Sequence, residues 1–376
     1  MTRRRKFWNR ITDGLAVSQL WKQFQADARL SYRLFTQEID MKRRPGTGRV
    51  RHLFRMARQF FWAVVDKLTP ARRLLLVAAL LLLALNVNIT WASGAHRMSR
   101  LLFIGPLPAG TWGVLLLLMV LLLEITDRVL MKRDLQIAKE IQAWLLPPAA
   151  PPVPGLEIAF ATRAANTVAG DYYDVFPRAI SPPGESRYLI GIADVAGKSV
   201  PAAMLMATFQ ASLKTLAATP SSLTDLAGRM NNYACGNSQN GRRFTTTFIA
   251  EYDPATRGLT YVNAGHNPPI LRRQSGTIER LQAGGIPLGI RPGAGYQAGA
   301  VTLQCGDWLV IFTDGVTEAE NARAEEYGEA RLLTVLNFNL AAPPQALLNA
   351  ILVDIDRFAG NAPQHDDITL MLLKAS

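Results

Sequence analysis

Cysteine is scarce in this chain of 376 residues: Cys235 and Cys305 are the only two. Two cysteines build no disulfide framework, and their separation offers no CxxC metal spacing. A thiol nucleophile is disfavoured as well. Six residues intervene between Cys235 and Arg242, and the stretch Gly-Asn-Ser-Gln-Asn-Gly lacks the apolar context of a strand-to-helix phosphate cradle. No glycine-rich phosphate loop is present either. Free cysteines of this kind behave as ordinary small side chains.

Charge is missing from two stretches, and its absence there organises the first third of the chain. Leu74 to Ala92 holds only Asn86, Asn88 and Thr90 as clear polar interruptions, and Leu101 to Leu123 has no charge apart from its flanks. Each is long enough to cross a hydrocarbon layer of ~30 Å as a helix, and residues 74–92 and 101–123 are read as two transmembrane helices. Gly105, Pro106, Pro108 and Gly110 place the regular part of the second near Gly113. More than seventy residues precede the first run, which excludes a cleaved signal peptide.

The net charge of +12 is unevenly placed. Residues 1–73 carry 18 Lys/Arg against 5 Asp/Glu and abut an apolar run, which points to a membrane surface rather than to nucleic acid. Arg128, Lys132 and Arg133 follow the second run, against Arg97 and Arg100 between the two. This asymmetry puts both termini of a multi-pass membrane protein in the cytoplasm, with membrane lipid as one partner.

From Glu124 to Leu146 the pattern becomes a charged linker helix with Leu130, Ile137, Ile141 and Leu145 along one side. That stripe suits either a homodimer or packing on the chain's own catalytic domain. Residues 147–154, rich in proline, form a stiff spacer. Over residues 155–376 short apolar runs read as strands near 156–162, 171–176, 188–194, 246–252, 259–263, 269–273, 301–303, 308–313 and 368–373. Helices fit 201–217, 223–233, 329–338 and 344–358, the first opened by Pro201. Meandering strands with helices between them favour an α+β sandwich.

Four acidic stretches punctuate this domain: Ala169-Gly-Asp-Tyr-Tyr-Asp174, Ile192-Ala-Asp-Val-Ala-Gly-Lys198, Phe312-Thr-Asp-Gly-Val-Thr-Glu318 and His365-Asp-Asp-Ile-Thr369. Three of them put an aspartate at or beside the end of an apolar strand, where a short side chain is rigidly held. Carboxylate oxygens suit Mg²⁺ or Mn²⁺ rather than zinc. Two such ions can activate water and neutralise a phosphate.

In order and wording these stretches resemble the metal-dependent serine/threonine protein phosphatase (PPM) superfamily, in its bacterial SpoIIE/RsbU branch. The resemblance takes in residues 134–142 (Asp-Leu-Gln-Ile-Ala-Lys-Glu-Ile-Gln), Leu145-Leu-Pro147, Pro201-Ala-Ala-Met204, Tyr261-Val-Asn-Ala-Gly-His-Asn-Pro268 and Pro287-Leu-Gly-Ile290. It implies a PPM-type β-sandwich flanked by α-helices, preceded here by the two-helix hairpin and linker. It further implies two ions held by Asp171, by a bridging Asp194, by the Val195 carbonyl, and by Asp314 and Asp366, with Asp171 and Asp194 central to catalysis. The implied substrate is a phosphorylated cytoplasmic protein, a STAS-type anti-sigma-factor antagonist.

Asp174 and Asp367 are read as orienting residues, Glu318 and Glu320 as surface near the site. His266 is read as a structural hydrogen-bonding residue rather than an acid, and Lys198 as a solvated lysine rather than a phosphate contact. Ala169 and Ser199 stand where the family often has glycine; Ser199 can cap the following helix, or is strained if its backbone needs positive φ. The rival readings are a catalytically silent PPM-fold membrane scaffold and, more remotely, a nucleic-acid binder acting through residues 1–73.

Overall fold

A computed structural model describes residues 58, 62, 65–66, 68–92, 103–104, 107–178, 187–238 and 243–376, with side chains at 85–92, 103, 104 and 107 excepted. The chain divides into two units, Met1–Val129 and Leu130–Ser376. Most of the basic segment 1–73 and the connection 93–100 lie outside the described residues.

In the first unit, α1 (Pro70–Ala92) is followed by a short antiparallel pair, β1 (Phe103–Ile104) and β2 (Leu107–Pro108), and then α2 (Ala109–Leu145). The two helices pack antiparallel. A Cβ on Gly113 would lie 2.8 Å from Leu83 Cγ and 3.0 Å from the Ala79 carbonyl, so the missing side chain sets how closely they approach. At the other end Arg72 pairs with Asp127 at 2.7 Å and with Glu124 at 3.3 Å.

The two spanning helices are not found: among the described residues no helix is long and apolar enough to cross a membrane. Phe103–Ile104 and Leu107–Pro108 form the β pair, and the second helix starts at Ala109 rather than Leu101. Only fifteen residues then separate its start from Glu124, roughly 22 Å at 1.5 Å per residue. The second run and the linker are one helix of 37 residues, not two elements.

The second unit is a sandwich of two sheets. One has the order β10 (Gly284–Gly285), β7 (Gly258–Ala264), β6 (Thr245–Asp253), β5 (Arg187–Val195), β4 (Tyr172–Arg178), with β11 (Gly299–Thr302) also on β7. The other has the order β3 (Leu156–Arg163), β13 (Ile368–Ala375), β12 (Trp308–Phe312), β8 (Ile270–Arg272), β9 (Ile278–Arg280). On one side lie α3 (Val200–Ala217) and α4 (Leu223–Asn237). On the other lie α6 (Gly328–Phe338) and α7 (Pro344–Ala359), with the single turn α5 (Asp314–Thr317) between β12 and α6.

Period two explains the layering. On β12, Leu309 and Ile311 join the core shared with the first sheet, while Trp308, Val310 and Phe312 join a second core with Leu332, Leu336, Leu347 and Ile351 of α6 and α7. On β13, Met371 and Leu373 go to the first core and Ile368, Leu370 and Leu372 to the second. Both strands are therefore buried on both faces and read as continuous apolar runs. The α+β sandwich expected from the sequence is present, and each expected strand and helix of residues 155–376 has a counterpart.

Candidate metal-binding active site

The strands deliver their acidic ends to one end of the sandwich. Asp171 immediately precedes β4, whose Tyr172 pairs with Ala193; Asp194 and Val195 close β5. Asp314 opens α5 just beyond β12, and Asp366 and Asp367 lead into β13, paired to β12 as Phe312 with Leu370. Strand pairing brings Asp171 beside Asp194 in one sheet and Asp314 beside Asp366 in the other, and the packing of the two sheets joins the pairs, nearly two hundred residues apart at their extremes.

Their electrostatics confirm the convergence. Burial, then Asp194 and Asp367, push the Asp171 carboxyl well above the usual carboxylate range. Burial, then the charges of Asp314, Asp366 and Asp367, push Asp194 up to about 7, against a hydrogen-bonding contact with Asp171. Burial and Asp366 likewise raise Asp314. The Val195 carbonyl lies at the same place: a Cβ on Gly170 would come within 3.3 Å of it.

Two of the carboxylates nevertheless have partners outside the cluster. Asp171 Oδ2 accepts from the Thr313 hydroxyl at 2.9 Å. Asp366 accepts from the Asp367 amide at 2.9 Å and pairs with Lys198 at 3.2 Å. Among the described residues, no three His, Cys, Asp or Glu side chains form a group that could hold a metal ion as they stand. The donor chemistry still fits hard divalent cations. The donors are carboxylates without thiols, and hydrogen bonds from neighbouring backbone together with the Lys198 charge partly offset their repulsion at Asp314 and Asp367.

Asp367 adds its charge to the cluster but accepts from the amides of Ala165 at 2.7 Å and Gly170 at 2.5 Å, fixing the loop that leads into Asp171. Asp174 is buried, receiving the Tyr172 hydroxyl at 3.0 Å and the Lys214 ammonium at 2.8 Å. Both orient neighbours, as their sequence context suggests. Lys198 is half exposed, yet it is not simply solvated: besides Asp366 it donates to the His365 carbonyl at 2.6 Å.

His266 is buried. Its amide donates to Asn263 Oδ1 at 2.8 Å and its Nδ1 shares a hydrogen bond with Thr246 at 3.3 Å, while Nε2 has no partner. Burial pushes its imidazole down to about 4, against a smaller upward pull from the Phe312 backbone. That is the environment of a structural, neutral imidazole.

Ser199 departs from the capping expectation. It has φ 65° and ψ −149° and makes no side-chain bond to the start of α3, so the strained alternative is the one realised. Ala169 has no positive φ and needs no glycine.

A groove of about 430 Å³ opens beside the cluster, lined among others by Arg163, Lys198, Glu318, Glu320, His365 and Asp366. Sequence reasoning missed Thr313 and Gly315. Thr313 stands between two residues already singled out, but its hydroxyl gives no pattern to read. A Cβ on Gly315 would lie 2.1 Å from the Asp367 carbonyl, a backbone approach only glycine permits.

Two relatives and one solved structure place this arrangement. Protein IcfG of Synechocystis sp. is 28% identical over 63% of this chain and 41% of its own length. Phosphoserine phosphatase RsbU of Bacillus subtilis is 29% identical over 65% of this chain and 70% of its own. This chain thus spans well under half of IcfG. The SiaA-PP2C domain of Pseudomonas aeruginosa shares the fold, with a TM-score of 0.56 at 19% identity over 66% of this chain and 99% of that domain. Residues 184–376, just over half of the chain, match the family model for Stage II sporulation protein E (SpoIIE). The chain belongs to the SpoIIE family, and its second unit shares the fold of the SiaA-PP2C domain.

Proposed function

We propose that this chain is a metal-dependent protein phosphatase that hydrolyses phosphoserine or phosphothreonine on a cytoplasmic signalling protein, a STAS-type anti-sigma-factor antagonist. The observation that carries the reading is the gathering of Asp171, Asp194, Asp314 and Asp366 from four strand ends at one end of the sandwich. RsbU, a phosphoserine phosphatase by name, supports the substrate class.

Asp171, Asp194, Asp314, Asp366 and the Val195 carbonyl would hold two Mg²⁺ or Mn²⁺ ions, which when bound supply an acidified water and neutralise the phosphate. The residues themselves do the positioning. Thr313 fixes Asp171 and Asp367 fixes the loop before it, while Gly315 lets the turn carrying Asp314 approach the Asp367 backbone. The groove beside Asp366 offers room for the phosphorylated segment, with Lys198 on its wall.

The test is hydrolysis of a phosphoserine peptide by the full chain in detergent, with Mn²⁺, with Mg²⁺ and with chelator. Release of phosphate that depends on either ion supports the enzyme; release indifferent to chelator sinks the two-metal reading. The rival is a silent PPM-fold scaffold, and no hydrolysis under any condition selects it.

The same proposal places the protein at the bacterial inner membrane with both termini cytoplasmic. Support comes from the large apolar side chains that α1 and α2 leave exposed, among them Leu74, Leu81, Leu118, Leu121 and Leu122. Recovery of the full chain in the soluble fraction would overturn it. We also propose a homodimer through α2, since Ile137, Ile141 and Trp144 are exposed rather than packed on the chain's own domain. A monodisperse monomer in detergent would remove that part.

A further inference from the structure

One side chain of α2 turns inward, and its contacts bear on the site. Gln142 is buried, and its amide group grips both backbone atoms of a single residue: Nε2 donates to the Ala169 carbonyl at 2.6 Å, and Oε1 accepts from the Ala169 amide at 3.0 Å. This is the double bond that a neighbouring strand would make, supplied here by a side chain. The same turn of helix is fastened from a second direction, because Gln210 of α3 donates to the Leu145 carbonyl.

Ala169 lies two residues before Asp171. Gly170 between them is gripped by Asp367 and has little room, since a Cβ there would meet Ala202 Cβ at 3.1 Å and the Val195 carbonyl at 3.3 Å. The backbone from Ala165 to Asp171 is thus held by side chains from separate elements: Asp367 at Ala165 and Gly170, Gln142 at Ala169, and Thr313 at the Asp171 carboxylate. Asp367 and Thr313 come from the second sheet. Gln142 alone of these comes from α2.

We propose that Gln142 is a positioning residue of the site: its amide sets the backbone from which the Asp171 carboxylate projects. This inference rests on the reading of Asp171 as a cation ligand. Gln142 touches neither cation nor substrate, so its effect reaches the site only through Ala169. Orientation of a ligating carboxylate by neighbouring hydrogen bonds is the kind of contact whose loss weakens metal affinity without removing a ligand.

The experiment compares the full chain in detergent with Gln142→Leu, which keeps the volume and loses both bonds, and with Gln142→Glu, which can still accept from the Ala169 amide but cannot donate. Mn²⁺ alone is the probe, its free concentration read by electron paramagnetic resonance, and thermal melting reports the fold. Gln142→Leu should weaken Mn²⁺ binding by about tenfold, with Gln142→Glu between it and the wild type. For a phosphoserine peptide at saturating Mn²⁺, KM should stay unchanged. Wild-type Mn²⁺ affinity in Gln142→Leu would overturn the proposal and leave the site reading intact. So would a weakening in Gln142→Leu that tracks its loss of melting temperature while Gln142→Glu melts and binds like the wild type. A wild-type chain that binds no Mn²⁺ overturns both.

Discussion

The Thr313 hydroxyl, one residue beyond β12, donates to the buried carboxylate of Asp171 at the start of β4 and accepts from the Thr369 amide at 3.0 Å. It therefore joins the two sheets at the end where the aspartates meet. Thr313→Val keeps the shape and removes the hydroxyl, leaving a buried amide and a buried carboxylate each short of a partner. The expected cost is about 1–3 kcal/mol in chemical denaturation, together with a clear fall in metal-dependent hydrolysis. Thr313→Ser should retain most of both. A valine variant as active as the wild type would show that Asp171 is held by other means.

Asp194 sits among carboxylates that raise its proton affinity. Asp194→Asn removes a charge without changing volume, so two effects of opposite sign are expected. Mn²⁺-dependent phosphate release should be abolished, and the chain in chelator should melt at a higher temperature than the wild type, because buried repulsion is relieved. Activity within threefold of wild type would remove Asp194 from the proposed ligand set.

The sandwich was legible because β5, β12 and β13 are apolar on both faces and each has an aspartate at or just beyond one end, so strand and site announce themselves together. Short strands were not. Gly284–Gly285 carries no side chain to show a period, and Ile278–Arg280 offers a single apolar residue. The join between the apolar run and the charged linker misled for a physical reason: helix propagation depends on the backbone, and a change from leucine to charge at Glu124 need not end it. Gln142 lies in a stretch that carries the resemblance, but its contact was not legible, since a buried amide that finds a backbone partner 27 residues away obeys no local pattern. The choice of Asp366 over Asp367 rested on the resemblance alone; physically they differ in direction, one toward Lys198, the other toward the Ala165 and Gly170 amides.

Ser199 holds a backbone conformation, φ 65° and ψ −149°, that suits glycine, and its hydroxyl does not cap α3 in return. Ser199→Gly should stabilise the chain by about 1 kcal/mol, or about 2–4 °C in melting temperature. Ser199→Ala keeps the strain and loses no cap, so its melting temperature should match the wild type. A destabilised glycine variant would mean the hydroxyl makes a contact that outweighs the strain.

His266 gives the folded chain a pH dependence of known sign. Its imidazole is held neutral, with its pKa lowered to about 4 from an ordinary 6.5. The unfolded chain therefore binds the proton first as pH falls. The stability tied to the neutral ring is complete above pH 6.5 and is lost progressively down to pH 4, on the order of 3 kcal/mol over the whole interval. The raised carboxyls of Asp171, Asp194, Asp314 and Asp367 slope the other way, so total stability does not isolate the effect. The difference between wild type and His266→Gln does. Urea denaturation at pH 7.5, 6 and 4.5 should show the wild type's advantage shrinking steadily with acid, since glutamine does not titrate. A gap that stays constant from pH 7.5 to 4.5 would show that His266 protonates equally in both states and that its burial does not govern its charge.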